Sequence, residues 1–180
     1  MKSFLFIIPF ILTLSSCKKD KTYKSFSSKQ LDFVNYIEGQ EVKFTDTDFT
    51  THSFQQNSFR REFYEVTSLY GKTGDFFERY DVSYFTLTSA SSFSVSLNAG
   101  QSPPLNIIFF GYQVFAVPDS LAPTLTSVTI NGINYTNVYT LKAYKNGQIN
   151  TNDTATLYHN RQYGIIQLLL PNGKRIIRTE

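Results

Sequence analysis

The stretch LTSVTINGINYTNVYTLKAY, residues 125–144, decides how the rest of the chain is read. Asn131-Gly132 lies between two runs in which apolar and polar residues alternate. An Asn-Gly pair accepts the positive φ angles of a type I′ turn, whose twist matches that of two antiparallel strands. The stretch therefore predicts a β-hairpin. Downstream, Lys145-Asn146-Gly147 offers a second turn, and TATLYHN and YGIIQLLL are strand-like runs joined around Arg161 to Gly164. Pro171-Asn172-Gly173 then turns the chain into KRIIRT. Together these residues predict a C-terminal meander of about five antiparallel strands.

Upstream, QEVKFTD, FRREFYEVT, RYDVSYFTLTS and SFSVSLN show the same alternation. In the last, Phe93, Val95 and Leu97 share one face and the serines the other. SSKQLDFVNYIEG predicts a short helix capped by Ser27 or Ser28 and ended by Gly39. Residues 104–118, PLNIIFFGYQVFAVP, differ in being apolar at both parities. Ile107, Phe109, Phe115 and Val117 fall on one side of a strand, and Ile108, Phe110, Tyr112 and Val114 on the other. A strand buried on both faces needs a sheet that is closed or covered on its outer side. The expected fold is all-β: an antiparallel β-sandwich or a curved, barrel-like sheet of about 9–10 strands with the C-terminal meander.

The start of the chain has a different character. In MKSFLFIIPFILTLSSC, Lys2 is a positive n-region, Phe4 to Leu14 an apolar run, and Ser15 and Ser16 small residues before a cut. The apolar run is too short for a bilayer that needs ~20 residues. Leu14-Ser15-Ser16-Cys17 resembles the lipobox of bacterial lipoproteins, which implies cleavage before Cys17 and acylation of its sulfur and new amino group. Two acyl chains would anchor the chain with on the order of 20 kcal/mol. The reading is residues 1–16 as signal peptide, 17–30 as tether and 31–180 as a single β domain. Cys17 is the only cysteine, so no internal disulfide can form.

The chain of 180 residues carries 17 Phe and 12 Tyr but no Trp, a composition that favours strands between polar turns. Net charge is +3, falling by one when Lys2 leaves with the signal. The basic residues are scattered and GKRIIRTE is too short for a groove-binding patch, so no nucleic-acid partner is expected.

Chemistry-bearing residues are sparse. His52 and His159 stand far apart, outside any zinc spacing. His159 is expected at a strand end or turn. No GxSxG elbow is present, and in YGKTGD Val66 stands where a phosphate loop needs its first glycine. Asp46 and Asp48 would share a strand face without the ligand density of a calcium loop. Glu62 and Glu65 would lie on opposite faces. All four are expected to be solvated acids. The expectation is a non-enzymatic protein with no metal and no cofactor.

Two tripeptides, Asp119-Ser120-Leu121 and Asp153-Thr154-Ala155, resemble the O-glycosylation sequon of exported Bacteroidota proteins, which implies Ser120 and Thr154 as acceptors. Lys19-Asp20 partly resembles the surface-export tag of Bacteroidota lipoproteins, and Lys21 departs from it. With YIEGQEVKFTD, VTINGINYTNVYTL and LYHNRQYGIIQLLLPNGKRI, the layout resembles the uncharacterised β-rich lipoproteins of that phylum. The resemblance implies a palmitate-type anchor at Cys17 in the outer membrane, facing the periplasm or the surface. The expected role is binding an envelope protein or glycan, or envelope assembly. The alternative is carriage of a hydrophobic ligand inside the β domain, lined by the strand at 105–117.

Overall fold

The computed structural model describes residues 20–86, 91–149 and 152–179. The signal segment 1–16 and Cys17 therefore lie outside the described residues. Twelve strands are present among them: β1 (Thr22–Lys24), β2 (Val42–Asp46), β3 (Thr51–Ser68), β4 (Gly71–Thr86), β5 (Ser92–Asn98), β6 (Leu105–Phe109), β7 (Tyr112–Ala116), β8 (Leu125–Ile130), β9 (Ile133–Lys145), β10 (Thr154–Asn160), β11 (Gly164–Leu169) and β12 (Arg175–Arg178).

Ten of them close into an antiparallel barrel in the order β4-β3-β2-β12-β11-β10-β9-β7-β6-β5, with β5 pairing back onto β4. The expected C-terminal meander runs from β8 to β12, each strand antiparallel to the next. Its turns use the predicted glycine pairs. Asn131-Gly132 has φ of 50° and 79°, and Asn146-Gly147 has 50° and 72°. Closure satisfies the backbone groups that an open sheet would leave at its edges.

Alternation then decides what goes inside. In β5, Phe93, Val95 and Leu97 point into the barrel and are fully buried, while Ser94 and Ser96 are outward. Phe44, Phe54, Phe93 and Phe109 meet edge-on or tilted in the middle, with centroids 4.7–6.4 Å apart, and Tyr84 stacks on Phe93 at 4.4 Å. Such offset and edge-on pairs add to the burial of large apolar side chains. The apolar-in, polar-out pattern is the reverse of a barrel whose outer face meets lipid. Among the described residues no helix is long and apolar enough to cross a membrane.

Residues 105–117 depart from the expected single doubly buried strand. They form the hairpin β6–β7, turned by Phe110-Gly111 at φ 50° and 74°. A two-residue turn reverses the parity of the inward positions. Leu105, Ile107 and Phe109 point inward before it, Tyr112 and Val114 after it, and Phe115 and Val117 are left exposed.

The doubly buried strand is instead β11. Its pairing with β10 slips between Tyr158 and His159, so Ile165 and Leu168 both point inward. Ile166 points outward against Ile130, Tyr135 and Val138 of the β8–β9 hairpin, which folds over the outside of the barrel as a flap with its own small core. Asn137, at φ 54°, bends β9 where its pairing passes from β8 to β10.

One end of the barrel is sealed by residues 26–41. The expected helix there is a single 3-10 turn, Gln30–Phe33. Ser27 Oγ accepts from the Gln30 N–H at 3.1 Å, and Gln30 Oε1 accepts from the Ser27 N–H at 2.8 Å, the reciprocal pair of a capping box. Beyond this turn the chain is irregular, and Phe33 and Tyr36 both reach the barrel interior. Phe33 stacks on His159 at 4.6 Å. Tyr36 exchanges two backbone hydrogen bonds with the Tyr80 hydroxyl, and its own hydroxyl accepts from the Ile165 N–H at 2.9 Å. A Cβ on Gly164 would sit 2.6 Å from that hydroxyl.

The segment expected to be tether is docked as far as it is described. Phe26 is buried and its N–H donates to Glu78 Oε2 at 2.9 Å, while β1 pairs in parallel with β4. Beyond the last rung shared with β5, Arg79 opposite Asn98, β3 and β4 continue as a ribbon, edged by β1 along Asp75–Phe77, that turns at Leu69-Tyr70.

Candidate functional site at the uncovered end of the barrel

The end opposite the sealed one carries the turns β2–β3 and β6–β7, the connection β9–β10 and the turn β11–β12. The β2–β3 turn is organised by Asp46. Its Oδ1 accepts from the N–H groups of Asp48 and Thr50, both at 2.9 Å, and His52 Nε2 lies 3.3 Å from its Oδ2. The Thr50 N–H bond, with His52 and the Asp48 N–H assisting, holds the Asp46 carboxyl below its ordinary range. Lys174 Nζ reaches Asp48 Oδ2 at 2.6 Å, and the Arg175 N–H donates to Thr47 Oγ1 at 2.8 Å, tying this turn to β12. Asp46 and Asp48 are therefore a turn cap and an ion-pair partner.

Held this way, Phe49 takes φ 62° and stands 90% exposed. A bulky side chain in the left-handed region is uncommon. A cleft of about 430 Å³ beside it is lined by Asn131, Arg175 and Ile177.

A second cleft, of about 610 Å³, opens across the barrel mouth. Phe110, half-buried at the β6–β7 turn, packs edge-on against Phe109, Phe54 and His52. The Tyr112 hydroxyl donates to Asp153 Oδ1 at 2.7 Å, and Lys145 Nζ stands 4.6 Å over the Tyr112 ring. Desolvation and the bond to Asp153 push the Tyr112 hydroxyl up to about 12, so it stays a donor at any physiological pH. The mouth thus offers an aromatic floor, a carboxylate and a cation side by side. That combination suits recognition of a mixed polar and apolar surface.

The other sequence-predicted residues are dispersed. His159 is the penultimate residue of β10, fully buried at the sealed end, and desolvation with the nearby Arg178 charge lowers it to about 3. Glu62, at the last barrel rung, pairs with Arg60, and Glu65 pairs with Lys72 on the ribbon. YGKTGD begins at the ribbon's tip and runs into β4. Ser120 is exposed on a 3-10 turn, its hydroxyl donating to the Val117 carbonyl at 2.8 Å. Thr154 opens β10 beside Asp153. Among the described residues, no three His, Asp or Glu side chains gather as a metal set.

Sequence reasoning missed Phe49, Phe110 and the Tyr112–Asp153 pair. A signal existed for the second: the Phe-Gly dipeptide in the middle of an apolar run is a breaker of strand continuity. Comparison of the chain with family models, with curated proteins and with solved structures found no match.

Proposed function

We propose that the chain is a lipid-anchored, exported envelope lipoprotein whose barrel is a rigid, non-catalytic module for binding a partner. One observation carries the binding mode: the barrel is filled. Phe44, Phe54, Phe93, Phe109, Leu97 and Leu157 occupy its middle, and none of them lines any of the described clefts of 300–610 Å³. A small-molecule site buries most of its ligand in a cavity of comparable volume. Among the described clefts such space lies at the surface, so recognition falls to the uncovered end, with Phe49 as the projecting anchor and Phe110, Tyr112 and Lys145 as its polar and aromatic surround. The partner is an envelope protein or glycan, and the lipobox-like Leu14–Cys17 segment supports the address.

The test is affinity capture of the full-length protein from its native envelope, with and without Phe49→Ser and Lys145→Glu. A partner retained by the parent and lost from both variants supports the reading. A partner retained by both places recognition elsewhere. Co-purifying lipid seen in a native mass spectrum would favour carriage of a hydrophobic ligand instead. Cys17→Ala tests the anchor separately, with release from the membrane fraction and loss of acyl mass as the expected result.

A further inference from the structure

The ribbon is fastened to the barrel at its base, where the Tyr64 hydroxyl donates to Asn98 Oδ1 at 2.8 Å, and it exposes two large apolar side chains at its tip. Leu69 is 100% and Tyr70 98% accessible. Measured along β3, from Glu62 opposite Arg79 to Ser68 opposite Gly71, the tip projects ~20 Å from the last barrel rung at ~3.3 Å per residue. The parallel strand β1 fixes which way the N-terminal chain leaves the domain. Thr22 stands opposite Asp75, Tyr23 opposite Phe76 and Lys24 opposite Phe77. Because β4 runs from the tip toward the barrel, a parallel β1 followed backward runs toward the tip.

The reaches agree. Five residues separate Thr22 from Cys17, an extended span of at most ~18 Å. Asp75 lies in a bulge in which residues 73–75 face only Val66, so the tip at Leu69 stands ~10 Å beyond it along β3, within that span. Cys17 can therefore lie level with Leu69-Tyr70. The docking of β1 is specific: Tyr23 stacks on Phe76 at 4.9 Å and 17° and meets Phe63 edge-on at 5.5 Å. Lys21 lies over Phe76 and Lys24 over Phe77, at 5.6 and 4.8 Å.

We infer that Leu69 and Tyr70 are a second membrane contact, inserted into the interface of the same bilayer that holds Cys17; this rests on the lipid-anchor reading above. Tyrosine favours the headgroup level and leucine the acyl boundary, and Lys21 and Lys72 stand on the ribbon behind them. The ribbon then stands as a strut. It turns the sealed end of the barrel toward the membrane and presents Phe49 and the 610 Å³ mouth away from it.

The chain supplies its own reporter system, having no tryptophan and one cysteine. Residues 17–180, coupled through the Cys17 thiol to maleimide-bearing lipid in phosphatidylcholine vesicles, carry either Tyr70→Trp or Phe49→Trp. The tip variant should show emission shifted to the blue relative to the uncoupled protein and loss of intensity with brominated lipids. The Phe49→Trp variant should show neither. Unchanged, unquenched emission from position 70 overturns the inference, and quenching at both positions overturns the upright orientation. Circular dichroism checks that both variants retain the barrel. Chemical coupling makes this readout independent of native acylation. An unacylated Cys17 in protein from its host would remove the anchor reading and leave the vesicle result as a property of the tip.

Discussion

Two apolar runs, residues 105–117 and 164–169, look alike in the sequence and are treated oppositely by the fold. The first is a hairpin that lines one wall of the barrel from the inside, with Phe115 39% exposed on its outer face. The second is a single strand buried on both sides, inward through Ile165 and Leu168 and outward through Ile166. The difference is the β8–β9 flap, which covers one strand and leaves the other bare. Apolar density in a run therefore reports how much is buried, not how many layers bury it.

The comparison breaks most directly by truncation on the outer faces. Ile166→Ala should destabilise by about 2–4 kcal/mol, because the flap cannot collapse onto the space left. Phe115→Ala should cost less, about 1–1.5 kcal/mol, because its ring is only partly out of water. Equal losses in urea melts would mean that the flap contributes no second core.

Next in size is Gly164→Ala, at about 1–3 kcal/mol. It combines φ 74° with a Cβ placed 2.6 Å from the Tyr36 hydroxyl. A companion Tyr36→Leu change removes both the oxygen and the ring carbons, 2.7 and 3.1 Å away, that the Cβ meets. Recovery of part of the loss in the double variant would separate the clash from the backbone strain.

Beneath β11, His159 pairs in register with Ile165 and stays neutral in the folded barrel. Its folded pKa of about 3 lies below the ordinary 6.5, so the unfolded chain binds the extra proton. The contribution is whole above pH 6.5 and is lost as pH falls toward 3. Stability should fall by about 1–2 kcal/mol between pH 7 and 5 from this group alone. A His159→Gln variant with the same slope would assign it elsewhere.

The smallest effect is expected at the turn inside the first run. Phe110→Asn exchanges ring packing on Phe54 and His52 for a residue at ease with φ 50°, and should shift stability by less than about 1 kcal/mol. A large loss would make Phe110 a core residue rather than part of the mouth.

Much of the barrel was legible because its signals are local. Asn131-Gly132 and Asn146-Gly147 turn where their positive φ tolerance predicts, and Phe93, Val95 and Leu97 point inward as their spacing requires. The β6–β7 turn was hidden because phenylalanine stands where asparagine is usual, so the parity reversal could not be counted. The site was less legible still. Phe49 looks like any strand phenylalanine, and its exposure follows from contacts with Asp46, Lys174 and Arg175. Tyr112 and Asp153 are 41 residues apart and meet only because β7 pairs with β9.

Period-two patterning and turn chemistry act within a few residues, so the amino-acid sequence by itself determined the strands, most of their turns and the all-β class. Closure of ten strands, the flap over β11, the strut beside β1 and the placing of the mouth and Phe49 at the opposite end were decided by tertiary structure. Those features depend on which distant strands share hydrogen bonds, and backbone groups carry no side-chain code for their partner.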